Sequence, residues 1–189
     1  MHDSLRKVFD KILNISEQDW DVFQSILQPV EISKHKFVLE QGQICKGVYF
    51  LEKGLTRTYY LKDGKEINKA FNFENEFLRE IESLSKNTPS LDYIQALENS
   101  RLIFIDKNKL TDLYKSSSFF QEMGRKILEQ LTITEQQYAS LLASYSPKER
   151  YLEILKNKPK MIERVPLQHL ATYLGISRES LSRIRKRIS

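Results

Sequence analysis

Val165-Pro166-Leu167-Gln168-His169-Leu170-Ala171-Thr172-Tyr173-Leu174-Gly175-Ile176-Ser177-Arg178-Glu179-Ser180-Leu181-Ser182-Arg183-Ile184-Arg185-Lys186-Arg187-Ile188 reads as two short helices joined by a tight turn. Leu167, Leu170, Ala171 and Leu174 fall at i, i+3, i+4 and i+7, one face of a helix. Pro166 suits the first turn, where its missing N–H is lost anyway. Gly175 follows the last apolar residue and can take the left-handed conformation that ends a helix. Ser177 can cap the next helix through its hydroxyl, and Leu181, Ile184 and Ile188 give that helix a buried stripe. Ala171 is small where two crossing helices would touch. A helix, a glycine-containing turn and a second helix make a helix-turn-helix.

The opposite face of the second helix carries Arg178, Glu179, Ser182, Arg183, Arg185, Lys186 and Arg187. Arg can bond guanine O6 and N7 as a fork, and Glu can accept from cytosine N4. The first residues of a recognition helix reach base edges, which assigns Arg178, Glu179 and Arg183 to base readout. Arg185, Lys186 and Arg187 lie further along and suit phosphates. A solvated basic helix whose charges complement its own dipole is the plainer alternative. The cap, the turn glycine and two spaced apolar stripes favour DNA.

Working outward, the chain has 189 residues, 40% hydrophobic and 29% charged, with net charge +5 and pI ≈ 9.1. That balance allows a polyanionic partner. One cysteine, Cys45, excludes an intramolecular disulfide and favours a cytoplasmic setting. The first residues lack the apolar core of a secretory signal, and no apolar run is long enough to span a membrane. Three histidines and one cysteine give no metal spacing. No phosphate loop or Ser/His/Asp arrangement is visible, so an enzyme is not expected. Glu74, Glu76, Glu80 and Glu82 form an acidic cluster that reads as a solvated loop, Cys45 reads as a small core residue, and His169 as a surface or backbone-contact residue.

From the N-terminus, Leu5, Val8, Phe9, Ile12 and Leu13 form one helical stripe over residues 4–13, with Ser4 as its cap. Ser16 and Asp19 resemble a capping box for a second helix, whose face is Trp20, Phe23 and Leu27. The period then shortens. Val30–Ile32, Lys36–Leu39, Val48–Leu51, Leu55–Leu61, Glu66–Phe73, Tyr93–Ala96 and Leu102–Ile105 read as strands, separated by Gln41-Gly42, Lys53-Gly54 and Asp63-Gly64. Asp-Gly between two strands is a hairpin signal. Many short, closely spaced strands predict a sandwich, barrel or jelly roll.

Residues 117–145 read as one long helix. Phe120, Gly124, Ile127, Leu131, Thr134, Tyr138, Leu141 and Tyr145 alternate spacings of four and three, the repeat of a two-helix seam. That favours a homodimer over a helix packed only on its own β-domain. Ser144-Tyr145-Ser146-Pro147 ends the helix at a hinge. Residues 148–156 form the next helix, with Tyr151, Leu152 and Leu155 as its buried face, closed by Asn157-Lys158-Pro159.

Gly175-Ile176-Ser177-Arg178-Glu179-Ser180-Leu181-Ser182-Arg183-Ile184 resembles the recognition segment of the Crp/Fnr family of transcription regulators. The resemblance implies that Arg178, Glu179 and Arg183 touch bases of a TGTGA-type half-site and that Ser177 touches a phosphate. Val48 to Tyr60 resembles the strand–glycine–strand pattern of the cyclic-nucleotide-binding β-roll, and Asp63-Gly64-Lys65-Glu66 its hairpin. The implied class is α+β: a double-stranded β-helix (jelly-roll) domain at 1–116, a dimerisation helix at 117–145 and a helix-turn-helix domain at 146–189. Double-stranded DNA with a palindromic site, a second copy of the chain and RNA polymerase are the implied partners. Members usually continue into a wing hairpin; the sequence ends at Ser189, so those contacts are expected to be missing.

The resemblance weakens where a phosphate cassette should follow. Arg79 stands where nucleotide binders carry glycine, although Glu80 fits their ribose-binding glutamate. Ser90 and Leu91 stand where they carry Arg-Ser or Arg-Thr, and Asp92 adds a negative charge. A cyclic phosphate needs a matched cation or a nest of donors. Arg79, Glu80, Ser90 and Leu91 therefore outline a pocket for an unidentified small effector, or a degenerate one, and cyclic AMP is not expected. The four cysteines of an iron–sulfur oxygen sensor are missing. The reading from another class is a small-molecule-binding module that acts on a protein partner.

Overall fold

The computed structural model describes residues 2–188. Helices α1 (Asp3–Ile12) and α2 (Glu17–Gln24) precede eight strands: β1 (Leu27–Ile32), β2 (Phe37–Leu39), β3 (Gly47–Lys53), β4 (Thr56–Lys62), β5 (Lys65–Asn72), β6 (Phe77–Leu78), β7 (Tyr93–Ala96) and β8 (Ser100–Asp106). Helix α3 (Ile81–Lys86) interrupts the strands. Helices α4 (Lys107–Ser116), α5 (Ser118–Ser144), α6 (Pro147–Asn157), α7 (Pro159–Arg164), α8 (Leu167–Tyr173) and α9 (Arg178–Ile188) follow. The strands form two four-stranded sheets, ordered β1-β8-β3-β6 and β2-β7-β4-β5, and the non-sequential order is that of a jelly roll.

The chain divides into two compact units: residues up to Arg57 with Asn72–Gln130, and Thr58–Phe71 with residues from Leu131 onward. In the first unit, Leu39, Cys45, Leu51, Leu78, Ile94 and Leu102 form a buried core. Phe9 meets Phe23 at a tilt and stacks against Phe77, whose ring also meets Phe50. Each buried aromatic removes some 150–250 Å² from water. Pro29 sits in β1 opposite Ile103; β1 is an edge strand, the place in a sheet where proline is tolerated.

Several local expectations are revised. Ser4 does not cap α1; His2 holds that position without a side-chain cap bond, and Ser4 Oγ donates to Glu52 at 3.4 Å. Leu27 is not on the second helix but begins β1, paired with Ile105. Ser16 does cap α2, accepting from the Asp19 N–H. The acidic cluster is only partly solvated: Glu76 and Glu82 are exposed, whereas Glu74 accepts from Gly54 N–H and Glu80 is buried. On α6 the buried residues are Tyr151 and Ile154, whereas Leu152 and Leu155 are exposed.

In the second unit, the β4–β5 hairpin turns at Asp63 (φ 51°) and Gly64 (φ 73°). Two successive left-handed residues match the right-handed twist of the strands they join.

Candidate nucleic-acid interface

Helix α8 buries Leu170, Ala171 and Leu174, and α9 buries Leu181. Gly175 adopts φ 70°. Its N–H donates to Thr172 O at 3.1 Å, and Ile176 N–H donates to Ala171 O at 3.0 Å. This pair of bonds closes a helix in a Schellman motif, and only a residue without Cβ enters it without strain. Two residues on, Ser177 Oγ accepts from Ser180 N–H at 3.2 Å and starts α9. Cap and stop thus fall where the sequence put them.

Ser177, Arg178, Glu179, Arg183, Arg185, Lys186 and Arg187 are exposed, and Ser182 is half-buried. Arg183 reaches Ser180 Oγ at 3.3 Å, which orients its guanidinium along the helix. The Glu179 carboxyl is held below its ordinary pKa, first by its own backbone N–H and then by the Ser177 hydroxyl, with Arg178 and Arg183 adding attraction. It stays an acceptor at neutral pH, the state a cytosine N4 donor requires. Residues 146–189 hold eleven Lys and Arg against four Glu, a net +7, so the remainder of the chain nets −2. The positive charge is concentrated on this segment.

Arg150, which the sequence reading passed over, organises the same unit. It lies on α6, whose start is fixed by a reciprocal capping box between Ser146 and Glu149 and by Pro147. Its Nη1 donates to Leu174 O at 2.8 Å, Nη2 to Leu142 O at 2.7 Å and Nε to Tyr145 O at 2.9 Å. One cation thereby satisfies carbonyls at the C-terminal ends of α5 and α8, where helix dipoles favour positive charge. No periodicity marks such a residue, because its partners are backbone atoms distant in sequence.

The expected effector residues are arranged differently. Both Glu80 oxygens accept from the N-terminus of α3, from Glu82 N–H at 2.9 Å and Ser83 N–H at 2.8 Å. Ser90 is buried, and its hydroxyl bonds both the N–H and the carbonyl of Asp92. Leu91 is 68% exposed. Arg79 is half-buried between β6 and α3. A different cation is enclosed: Arg57, 4% exposed, donates through Nε (2.9 Å) and Nη2 (2.7 Å) to Gln95 Oε1. A buried Arg is rare unless it is paired. In the sequence, only its place in the strand Thr56-Arg57-Thr58 hinted at enclosure. Burial also pushes the Cys45 thiol pKa up, which suits a core residue. Among the described residues, no group of His, Cys, Asp and Glu could hold a metal ion.

Along α5, Phe120 is buried and lies 5.9 Å from the Phe23 ring. A Cβ on Gly124 would stand 2.5 Å from Tyr114 Oη, so this glycine makes room for a ring of the same chain. Ile127 and Leu131 are half-buried, Leu141 is buried, and Tyr145 is 42% exposed. Leu128 and Ile133, outside the expected seam, are 48% and 54% exposed. Tyr138 is half-buried, and burial pushes its phenol pKa up to about 12.

Residues 29–117 match the cyclic nucleotide-binding domain family. No curated protein sequence matches the chain. Among solved structures, the c-di-GMP-responsive global regulator CLP of Xanthomonas campestris is 20% identical with TM-score 0.71, over 92% of this chain and 91% of that one. FixK2 of Bradyrhizobium japonicum is 16% identical with TM-score 0.70, over 86% and 84%. A regulator described as of the Crp/Fnr family, from Eubacterium rectale, is 18% identical with TM-score 0.69, over 96% and 87%. The class is therefore a cyclic-nucleotide-binding-type jelly roll followed by a long helix and a helical C-terminal segment. Within that class, the chain has the fold of the Crp/Fnr regulators.

Proposed function

We propose that the chain is a sequence-specific DNA-binding transcription regulator of Crp/Fnr type that acts as a homodimer. The observation that carries this reading is the exposed Arg178–Glu179–Arg183 face, set on a helix with a satisfied cap and stop, within a segment of net charge +7. In functional terms the chain divides into a β-roll at 1–116, a dimer helix at 117–145 and a reading head at 146–189. A twofold dimer with recognition helices about 34 Å apart would read a palindrome with half-sites one DNA turn apart. The exposed Leu128 and Ile133 on α5, with Ile127 and Leu131, are the apolar surface such a dimer would cover. RNA polymerase is a further partner of this reading, and the cytoplasm its compartment. Among the described residues, no helix is long and apolar enough to cross a membrane.

The β-roll serves as the dimer scaffold or senses an effector other than cyclic AMP, because Glu80 and Ser90 spend their polar groups on their own backbone. An effector changes DNA affinity only if it binds two states of the dimer differently.

The test is titration of wild type and Arg183→Ala onto a palindrome of TGTGA-type half-sites and onto random duplex, across a salt series. Affinity for both duplexes is expected to fall steeply with salt in wild type. Arg183→Ala should lose the preference for the palindrome and keep random binding. Salt-independent binding, or no binding to either duplex, would count against the proposal.

A further inference from the structure

The two faces of α8 have different partners. Leu170, Ala171 and Leu174 are buried on one side. His169, Thr172 and Tyr173, at i, i+3 and i+4, meet the β4–β5 hairpin and α5. Asn68 Nδ2 donates to Thr172 Oγ1 at 2.8 Å. His169 Nδ1 lies 3.9 Å from Glu66 Oε2, and the Phe71 ring lies 5.3 Å from Tyr173. Tyr138 completes the junction from α5. Its ring stacks on Tyr173 at 4.4 Å and 14°, and its hydroxyl donates to Tyr173 O at 2.9 Å and approaches Asn68 O at 3.3 Å. Asn68 is 1% exposed and Tyr173 3%. All of these residues belong to one compact unit.

Resting on the DNA-reader assignment, we infer that Asn68 and Tyr138 are positioning residues for DNA reading, fixing α8 against the β4–β5 hairpin and the long helix. The contact leaves the reading face uncovered, since Arg178, Glu179 and Arg183 are exposed in the same arrangement. It holds the head rather than blocking it. Two heads on one dimer must keep a fixed separation to engage both half-sites at once. A loosened α8 would spoil that registration while each head still reads its own half. The bonds are partly buried and made partly to backbone carbonyl, so removing one partner leaves the other poorly satisfied.

The experiment uses the protein as wild type, Asn68→Ala, Tyr138→Phe, Thr172→Val and the double variant Asn68→Ala/Thr172→Val. Each is titrated onto a palindrome of two TGTGA-type half-sites and onto one half-site alone, with amide hydrogen exchange of α8 followed in parallel. Tyr138→Phe keeps the ring stack and removes only the hydroxyl. The expected result is a loss of about three- to ten-fold on the palindrome, the range of one buried hydrogen bond, half-site affinity within about two-fold of wild type, and faster exchange in α8. Asn68→Ala and Thr172→Val should be non-additive, because they remove the same bond. Parallel losses on both duplexes, or no change on either, overturn the positioning role. Should wild type bind neither duplex, the DNA reading itself fails. The hairpin's hold on α8 is then judged by exchange alone, and unchanged α8 exchange in Asn68→Ala overturns it.

Discussion

The α8–α9 turn and the loop from Arg79 to Tyr93, the proposed DNA reader and the expected effector site, are built in opposite ways. At the turn, each capping group serves one helix end, and the charged groups beyond it stay exposed. In the loop, the Glu80 oxygens and the Ser90 hydroxyl bond backbone of their own segment, and Leu91 points to solvent. A polar residue can serve folding or a partner, and the hydrogen bonds it has already made indicate which. In the first region the charged side chains remain exposed; in the second, Glu80 and Ser90 are engaged by their own backbone.

The largest effect is expected at Arg150, which bonds the C-terminal ends of α5 and α8. Arg150→Ala leaves carbonyls of Leu142, Tyr145 and Leu174 without their charged donor. Urea unfolding should show a loss of about 3 kcal/mol, since bonds to a charged group contribute about 1.5–3 kcal/mol each and are not additive. Arg150→Lys should not restore it, because an ammonium lacks the planar fork. Next, Arg178→Ala should weaken a cognate palindrome about 10- to 100-fold and leave random duplex unchanged, the discrimination of about 1–3 kcal/mol that one bidentate contact supplies. A uniform loss would move Arg178 to the phosphate group.

In the loop, Glu80→Ala should cost about 1 kcal/mol by removing the α3 cap. Cyclic AMP at millimolar concentration should leave the wild-type melting temperature unchanged; a rise would mean that the loop still binds the nucleotide. Smallest of all, Arg187→Ala should reduce the slope of log affinity against log salt by about 0.9, the value of one phosphate contact, with no change in sequence preference.

The α8–α9 pair was legible in the sequence because its determinants are local. Leu170, Ala171, Leu174, Gly175, Ser177 and Leu181 act within a dozen residues of one another, and each has one physical reason for its place. Most strands were legible from composition and turn glycines. Helices α3, α4 and α7 have no counterpart in the sequence pattern: Glu80, the cap of α3, reads as part of an acidic loop, and α4 starts from Asp106 directly at the end of β8. The two-residue β6 is too short to show a period. On α6, a helical period admits more than one face. Tyr151 and Ile154 face inward while Leu152 and Leu155 do not, and only the tertiary neighbours decide between them.

On α5 the heptad spacing was real, but Phe120 and Gly124 are used by Phe23 and Tyr114 of the same chain. An apolar stripe does not say whose surface covers it. Asn68, Tyr138 and Arg150 were silent for a different reason. Their partners, Thr172, Tyr173 O and Leu174 O, lie 24 to 104 residues away, and no local pattern encodes such a meeting.

Selection of bound sequences from random duplex DNA, using purified protein without added effector, tests the central claim most directly. The expected result is a palindrome whose half-sites are centred one helical turn apart, enriched by wild type and lost with Arg178→Ala. Recovery of no common sequence, with or without cyclic AMP, would contradict the assignment of α8–α9 as a specific DNA reader.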